Sequence, residues 1–266
     1  MQVEQYAYEI NGHKPRNLIK LVALEIIINK TSEEMGKAAA HKAATLINST
    51  LEQKDSCNII LATGTSQFDM LSELVNQKVD WTGVRMFHLD EYLQINDEHP
   101  ASFRKYLKER FVDQVAPLKA SCYIAGDASD IEKELERLNE LINRYPIDVA
   151  MIGIGENGHL AFNDPPANFD TSVPYIIVDL DEACRIQQFT EGWFTSLESV
   201  PRQAISMSIR QILKSTSIIC TVPDDRKAMA VKAAVTQEVS NKIPASILQE
   251  HPDTFLFLDA ESSKNL

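Results

Sequence analysis

Cysteine is scarce in this chain, and the four present, Cys57, Cys122, Cys184 and Cys220, form no CxxC pair and have no histidine at ligand spacing. That pattern excludes a disulfide framework and a zinc motif, so the thiols are expected to stay reduced and pack as small apolar residues, with no metal. No apolar run approaches the ~20 residues needed to cross a bilayer. The opening Met-Gln-Val-Glu-Gln-Tyr lacks a basic stretch followed by an apolar one. No signal peptide is expected, and a cytoplasmic location is. Positive charge is also in deficit: 26 Lys and Arg face 38 Asp and Glu, for a formal net charge of −12. Nucleic acid and anionic membrane are therefore not expected as partners, and an anionic small molecule needs a local cradle of donors. No repeat, low-complexity tract or Gly/Ser linker interrupts the 266 residues. They read as one domain, 1–266, with about 1–22 as an extension that packs on the surface or on a neighbouring subunit of a possible homo-oligomer.

What is present is a balanced globular composition, 44% hydrophobic and 24% charged, with short β-branched runs alternating with amphipathic helical patterns. Strands are predicted at Leu24–Asn29, Asn58–Ala62, Val84–Leu89, Asp148–Ile152, Ser217–Val222 and Thr254–Leu258, the last closing the sheet. Thr31-Ser32-Glu33-Glu34 reads as a capping box opening a helix to about Leu51. Further helices are predicted up to about Asn76 and at His99–Phe111, Asp130–Arg144 and Asp225–Thr236. Such alternation predicts an α/β fold, a Rossmann-like three-layer α/β/α sandwich with a mostly parallel sheet. Ligands in such sheets bind beyond the carboxyl ends of the strands, so the residues just after each strand are the ones to inspect.

Four strand ends carry unusual residues. Thr63-Gly64-Thr65-Ser66 joins a strand to a helix, and its small residues let N–H groups and hydroxyls converge on an anion; a simple capped turn explains the same residues. Asp90-Glu91-Tyr92 places two carboxylates at a strand end, as a helix cap or as a general base in dry surroundings. Gly153-Ile154-Gly155-Glu156-Asn157-Gly158-His159 is followed at five residues by Asp164. Either Asn157 or Asp164 is placed to hydrogen-bond the imidazole and fix its tautomer. The loop sits mid-chain and carries His and Asp where a dinucleotide fingerprint needs a helix, so a nicotinamide cofactor is not expected. Lys227, at the start of a helix, is either a solvated surface lysine or a point charge for phosphate.

Together these segments resemble the glucosamine-6-phosphate deaminase family from about residue 24 to the C-terminus. The likeness rests on Asp90-Glu91-Tyr92 with His99-Pro100, on the long Gly153–Pro165 signature, and on Ala245–Gln249 through His251-Pro252. The resemblance implies conversion of a hexosamine 6-phosphate, glucosamine 6-phosphate first, to fructose 6-phosphate and ammonia without metal or cofactor. It implies His159 in ring opening, Asp90 as the base at C2, and Asp164, with Asn157, as partner of the imidazole. Thr63, Gly64, Thr65, Ser66, Glu91, Gly158 and Lys227 are expected to hold the amino-sugar phosphate.

Three positions depart from the family pattern. Asn157 and Asp164 stand where Asp and Glu are commoner. Gly192-Trp193-Phe194 lacks an arginine expected to bind phosphate, for which Arg185 is the substitute proposed, with Arg202 as an alternative. Galactosamine 6-phosphate is an open alternative substrate. A 6-phosphogluconolactonase is another reading, although that family carries Asp-Glu-Arg and His-Thr-Ala-Ser motifs absent here. A non-catalytic sugar-phosphate-binding protein is a third.

Overall fold

The computed structural model describes residues 24–115 and 117–266, together with the backbone of 4–5 and 18–20. Strands β1 (Glu4–Gln5) and β2 (Leu18–Lys20) precede β3 (Leu24–Ile28) and helix α1 (Ser32–Gln53). Then come β4 (Cys57–Leu61), α2 (Phe68–Leu74), β5 (Val84–His88) and β6 (Asp90–Tyr92). Helix α3 (Phe103–Leu107) continues through a wider turn into α4 (Asp113–Val115), followed by β7 (Ala120–Cys122), α5 (Ile131–Arg144) and β8 (Val149–Ile152). The chain finishes with β9 (Tyr175–Asp179), α6 (Glu182–Thr190), β10 (Gln203–Met207), α7 (Ile209–Ile212), β11 (Ser217–Val222), α8 (Ala228–Thr236) and β12 (Thr254–Leu258).

Nine strands form the main sheet in the order β1-β2-β3-β12-β11-β8-β4-β5-β7. From β3 to β7 all neighbours are parallel, and only the β1–β2 and β2–β3 pairings are antiparallel. The central strands are apolar on both faces because helices cover both. Ile59 and Leu61 of β4 pack with Met35, Ala39 and Ile47 of α1 and Met70 and Leu74 of α2. Ile60, one residue out of phase, joins Leu138 and Ile142 of α5 and Val231 and Ala234 of α8 on the opposite face. The expected three layers are therefore present. The final strand inserts between β3 and β12's other neighbour β11, inside the sheet and not at its rim. The expected N-terminal extension lies mostly outside the described residues; its two short strands continue the sheet edge.

The order places a switch point between β4 and β8. The chain moves outward from β4 through β5 to β7 on one side, and from β8 through β11 to β12 on the other. Crevices open at such points. Packing of α1 on α2 also serves this end. A Cβ on Gly36 would lie 2.6 Å from the Asp69 Cβ and 2.7 Å from the Asp69 backbone, so only glycine lets α1 approach the start of α2 so closely.

A second sheet, β6-β10-β9, is antiparallel and was not anticipated. It grows directly out of β5: after Leu89, whose carbonyl accepts from Met207 N at 2.9 Å, the chain switches sheets and pairs Asp90 with Ser206. One face of it joins the main core through Tyr175, Ile205 and Met207. The other supports an aromatic cluster of Tyr92, Phe103, Phe162 and Phe194, in which Phe103 and Phe162 stack at 5.7 Å. The predicted helix at His99–Phe111 begins four residues late, because Ser102 supplies the cap, accepting from Lys105 N. Thr31 caps α1 as expected, but Glu34 returns to Lys30 N and not to Thr31 N, so the capping box is half formed.

Candidate active site

The four singled-out loops follow β11, β8, β4 and β5, which are neighbours in the sheet, so their carboxyl ends bring distant residues together. They line an open cleft of about 560 Å³, solvent at its mouth included, with Thr63–Ser66, Asp90, Gly153–Gly155, His159 and Lys227 on its walls. Phe103, Phe162, Gln187, Gln188 and Glu191 complete the lining.

Asp90 is 6% exposed. Burial, followed by the neighbouring Glu91 charge, pushes its carboxyl up to about 8, and no hydrogen bond pulls it down. Such a group holds a proton readily yet faces the cleft. Glu91 is placed differently. Successive strand residues face opposite ways, and its carboxylate turns inward to accept from Ser102 Oγ (3.0 Å), Arg104 N (2.8 Å), Phe103 N (3.2 Å) and Tyr92 N (3.0 Å). Burial raises its pKa to about 7 against the pull of these bonds. Glu91 is thus not among the residues that line the cleft: it anchors the start of α3, which carries Phe103 there.

His159 lines the same cleft as Asp90. Its Nδ1 is 3.0 Å from Asp164 Oδ1, the same oxygen that accepts from Asn157 Nδ2 at 2.9 Å. Asp164 Oδ2 accepts from Asp181 N at 3.1 Å. Burial raises the Asp164 pKa, but His159, Asn157 and the Asp181 N–H together hold it below the ordinary carboxylate value. Asn157 Oδ1 also accepts from the backbone N–H of His159 at 3.1 Å, so the shorter Asp holds the ring while the neutral Asn holds that Asp and the loop backbone. The loop is pinned to β10 by Asn163, whose amide donates to Leu160 O (2.8 Å) and Met207 O (2.8 Å). Gly158 shapes the turn and gives its carbonyl to Ala245 N; it does not line the cleft. Gly155 does, and the Nε2 side of the imidazole lies close against it.

At the other end of the cleft, Lys227 is 3% exposed and contacts Ser66 Oγ. Burial lowers its pKa, and the nearby Glu191 charge works in the opposite direction. Gly64 gives its carbonyl to Tyr106 OH at 2.9 Å. Gln67 ties the loop to both neighbours, accepting from Thr221 Oγ1 (3.0 Å) and donating to Ile152 O (3.4 Å). Arg185 is not in this group: its guanidinium donates to the carbonyls of Leu197 (2.7 Å) and Val200 (3.2 Å) and packs α6 onto the following loop. Arg202 is exposed. Among the described residues no arginine lines the cleft. Arg226 lines an adjoining cavity that shares Thr65, Ser66, Glu191 and Lys227, and it is paired with Glu156 (3.1 Å) and Asp224 (2.7 Å).

Sequence reasoning missed α6 entirely, and with it Gln187, Gln188 and Glu191. Glu191 accepts from Gln187 Nε2 at 2.9 Å and Trp193 Nε1 at 3.3 Å. The available signal was Asp181, which caps α6 by accepting from Cys184 N at 2.6 Å.

Residues 30–256 match the family described as glucosamine-6-phosphate isomerases/6-phosphogluconolactonase. A glucosamine-6-phosphate deaminase of Streptococcus pneumoniae (strain 70585) is 36% identical over 202 residues, which span 76% of this chain and 84% of that protein. The solved structure of a monomeric glucosamine-6-phosphate deaminase superposes with a TM-score of 0.82 at 28% identity, covering 91% of this chain and 99% of that one. A 6-phosphogluconolactonase from Thermotoga maritima shares the fold at a TM-score of 0.73 and 18% identity, covering 89% of this chain and 99% of its own.

A methyl group on Gly155 would sit 2.2 Å from His159 Nε2 and 2.3 Å from Cε1. Gly155→Ala is expected to push the ring off Asp164 and lower kcat by ~10²-fold or more, the scale of one acid/base group. The circular dichroism spectrum should be unchanged; retention of wild-type kcat would show that the ring position does not matter.

Proposed function

Because this chain belongs to the family of glucosamine-6-phosphate isomerases and 6-phosphogluconolactonases, we propose that it isomerises and deaminates glucosamine 6-phosphate to fructose 6-phosphate and ammonia. The observation that carries this reading is the Asp90 carboxylate, buried in the cleft with a raised pKa and no hydrogen-bond donor. Lactone hydrolysis needs no such base beside a carbon; abstraction of a proton next to a carbonyl does.

In this reading the phosphate lies against Thr63, Gly64, Thr65, Ser66 and Lys227. The sugar runs towards Asp90 and His159. His159 moves a proton at the ring oxygen and opens the ring, with Asp164 stabilising the imidazolium and Asn157 holding both. Asp90 takes the proton from C2 of the open-chain aldehyde, giving an enolamine between C1 and C2, and returns a proton to C1. The C2 iminium then adds water and loses ammonia, leaving the ketone. Both proton transfers at carbon need only one carboxylate between two adjacent atoms, and a carboxyl titrating near neutrality is suited to give and take. Phe103 and Phe162 exclude water from that side of the cleft. The stacked pair is held by the anchored start of α3. None of the helices of the described residues is long and apolar enough to cross a membrane. A phosphorylated sugar substrate and four free, buried thiols fit a cytoplasmic enzyme.

Coupled detection of ammonia from glucosamine 6-phosphate and galactosamine 6-phosphate tests the assignment and names the epimer. Silence with both, together with hydrolysis of 6-phosphogluconolactone, would move the chain to the other branch of the family. Asp90→Asn should lower kcat by ~10²–10⁴-fold while leaving substrate binding in place. Near wild-type turnover would remove Asp90 from the chemistry. Lys227→Ala should raise KM by about 10-fold or more, since a hydrogen bond to a charged group is worth ~1.5–3 kcal/mol. An unchanged KM would place the phosphate elsewhere.

A further inference from the structure

Cys184 was read from the sequence as one of four isolated thiols, 25 residues beyond His159 and 20 beyond Asp164. The fold brings the three together. One ligand atom each from His159, Asp164 and Cys184 lies within 4.8 Å of the others. The first turn of α6 places Cys184, its N–H held by Asp181 Oδ1, so that the sulfur stands near Asp164. His159 is 9% exposed and Cys184 1%, so the cluster is withdrawn from water.

We propose that this cluster is an inhibitory binding site for a thiophilic divalent cation, Zn²⁺. The donor set is one imidazole nitrogen, one carboxylate oxygen and one sulfur, the mixed N/O/S set that zinc accepts and that magnesium and calcium do not. Zn–N and Zn–O distances of ~2.0–2.2 Å and a Zn–S distance of ~2.3 Å set tetrahedral ligand atoms ~3.3–3.7 Å apart, so the sulfur has to close in by up to about 1 Å. His159 Nδ1 and Asp164 already stand 3.0 Å apart, so most of the movement falls on the Cys184 side chain. The surroundings of a metal ligand are also in place. Asp164 is steadied by the Asn157 amide and the Asp181 N–H, the kind of outer hydrogen bonds that orient carboxylate ligands.

Binding releases the Cys184 thiol proton, and the proton of the neutral imidazole moves from Nδ1 to Nε2. The sulfur and Nδ1 each donate a lone pair to zinc, and nothing is oxidised. The consequence for the cleft is direct. Nε2, the nitrogen left to accept a proton from the substrate, then carries hydrogen, and the His159–Asp164 pair is tied up by the metal. Cys184 itself does not line the cleft and takes no part in the proposed reaction.

The test is a titration of the enzyme with Zn²⁺, reading ammonia release and, separately, metal binding by competition with a chromophoric chelator. Stoichiometric binding with inhibition reversed by EDTA is expected. Cys184→Ser should keep the metal-free activity and weaken zinc binding and inhibition by at least ~10-fold, the scale on which even supporting residues around a metal act. Equal zinc sensitivity in Cys184→Ser would overturn the site. Should that variant not fold, Co²⁺ added to the wild-type protein reports instead: a thiolate-to-cobalt charge-transfer band supports the site, and its absence overturns it. Because chelator competition and the cobalt spectrum need no turnover, they stand apart from the deaminase assignment. Should ammonia release fail while zinc binds through Cys184, the catalytic reading alone is at fault.

Discussion

A carboxylate at the floor of a cleft, buried and without a donor to neutralise it, is the constraint around which this protein is built. Taking Asp90 out of water opposes its ionisation, and the adjacent Glu91 adds to the effect. Elsewhere in the structure buried acids are satisfied. Glu91 has four donors, and Asp164 has the imidazole, an amide and a backbone N–H. Asp90 is the exception in its own cleft, and it sits where two sheets part. The main sheet delivers it through β5; the small sheet fixes it through the pairing of Asp90 with Ser206. A backbone held by two sheets permits a side chain to remain unpartnered without relaxing towards solvent.

The same seam organises the opposing wall. Ser206 lies beside Asp90 in the ladder, and its hydroxyl accepts from Phe162 N at 3.1 Å and Asn163 Nδ2 at 3.3 Å. Strand β10 thus holds the base strand on one side and the histidine loop on the other. The phosphate end depends on a different element: parallel β4 and β11 flank β8, and Gln67 bridges above it to Thr221. The cleft is therefore rigid at both ends, which is what positioning of a single reactive carbon requires. A further wall comes from α6 and its C-cap, where Gln187, Gln188 and Glu191 line the cleft. In a cleft expected to take a phosphate, Glu191 near Lys227 opposes an anion at that end.

Much of this was legible in the residues. Strands β4, β5, β8 and β11 are short apolar runs followed by loops whose residue types are chemically unusual, and both features survive in a single sequence. Asp90, His159, Asn157 and Asp164 belong to contiguous motifs, so their proximity followed once the strand order placed the loops side by side. Glu91 shares a motif with Asp90, but the two-residue period of a strand turns it away from the cleft lining. The small sheet escaped notice because β6 has three residues and β9, after buried Tyr175, alternates half-buried with exposed positions, a weak signal beside the continuous runs of the core. Arg185 and Cys184 were out of reach for another reason: both lie on α6, and which way a helix turns its residues is decided by what it packs against. Asp181, a capping acid ahead of that helix, was the one local clue.

The central claim, that Asp90 is held ionisable against the preference of the fold, is tested most directly by unfolding wild type and Asp90→Asn across pH 4 to 9. A carboxyl whose folded pKa is raised binds more protons folded than unfolded, so between the unfolded value near ~4 and the folded value near 8 wild type loses stability as pH rises. The account predicts that Asp90→Asn becomes progressively more stable than wild type through this window and that the difference levels off above it. A difference that does not change with pH, or a variant less stable than wild type at pH 8, would contradict it.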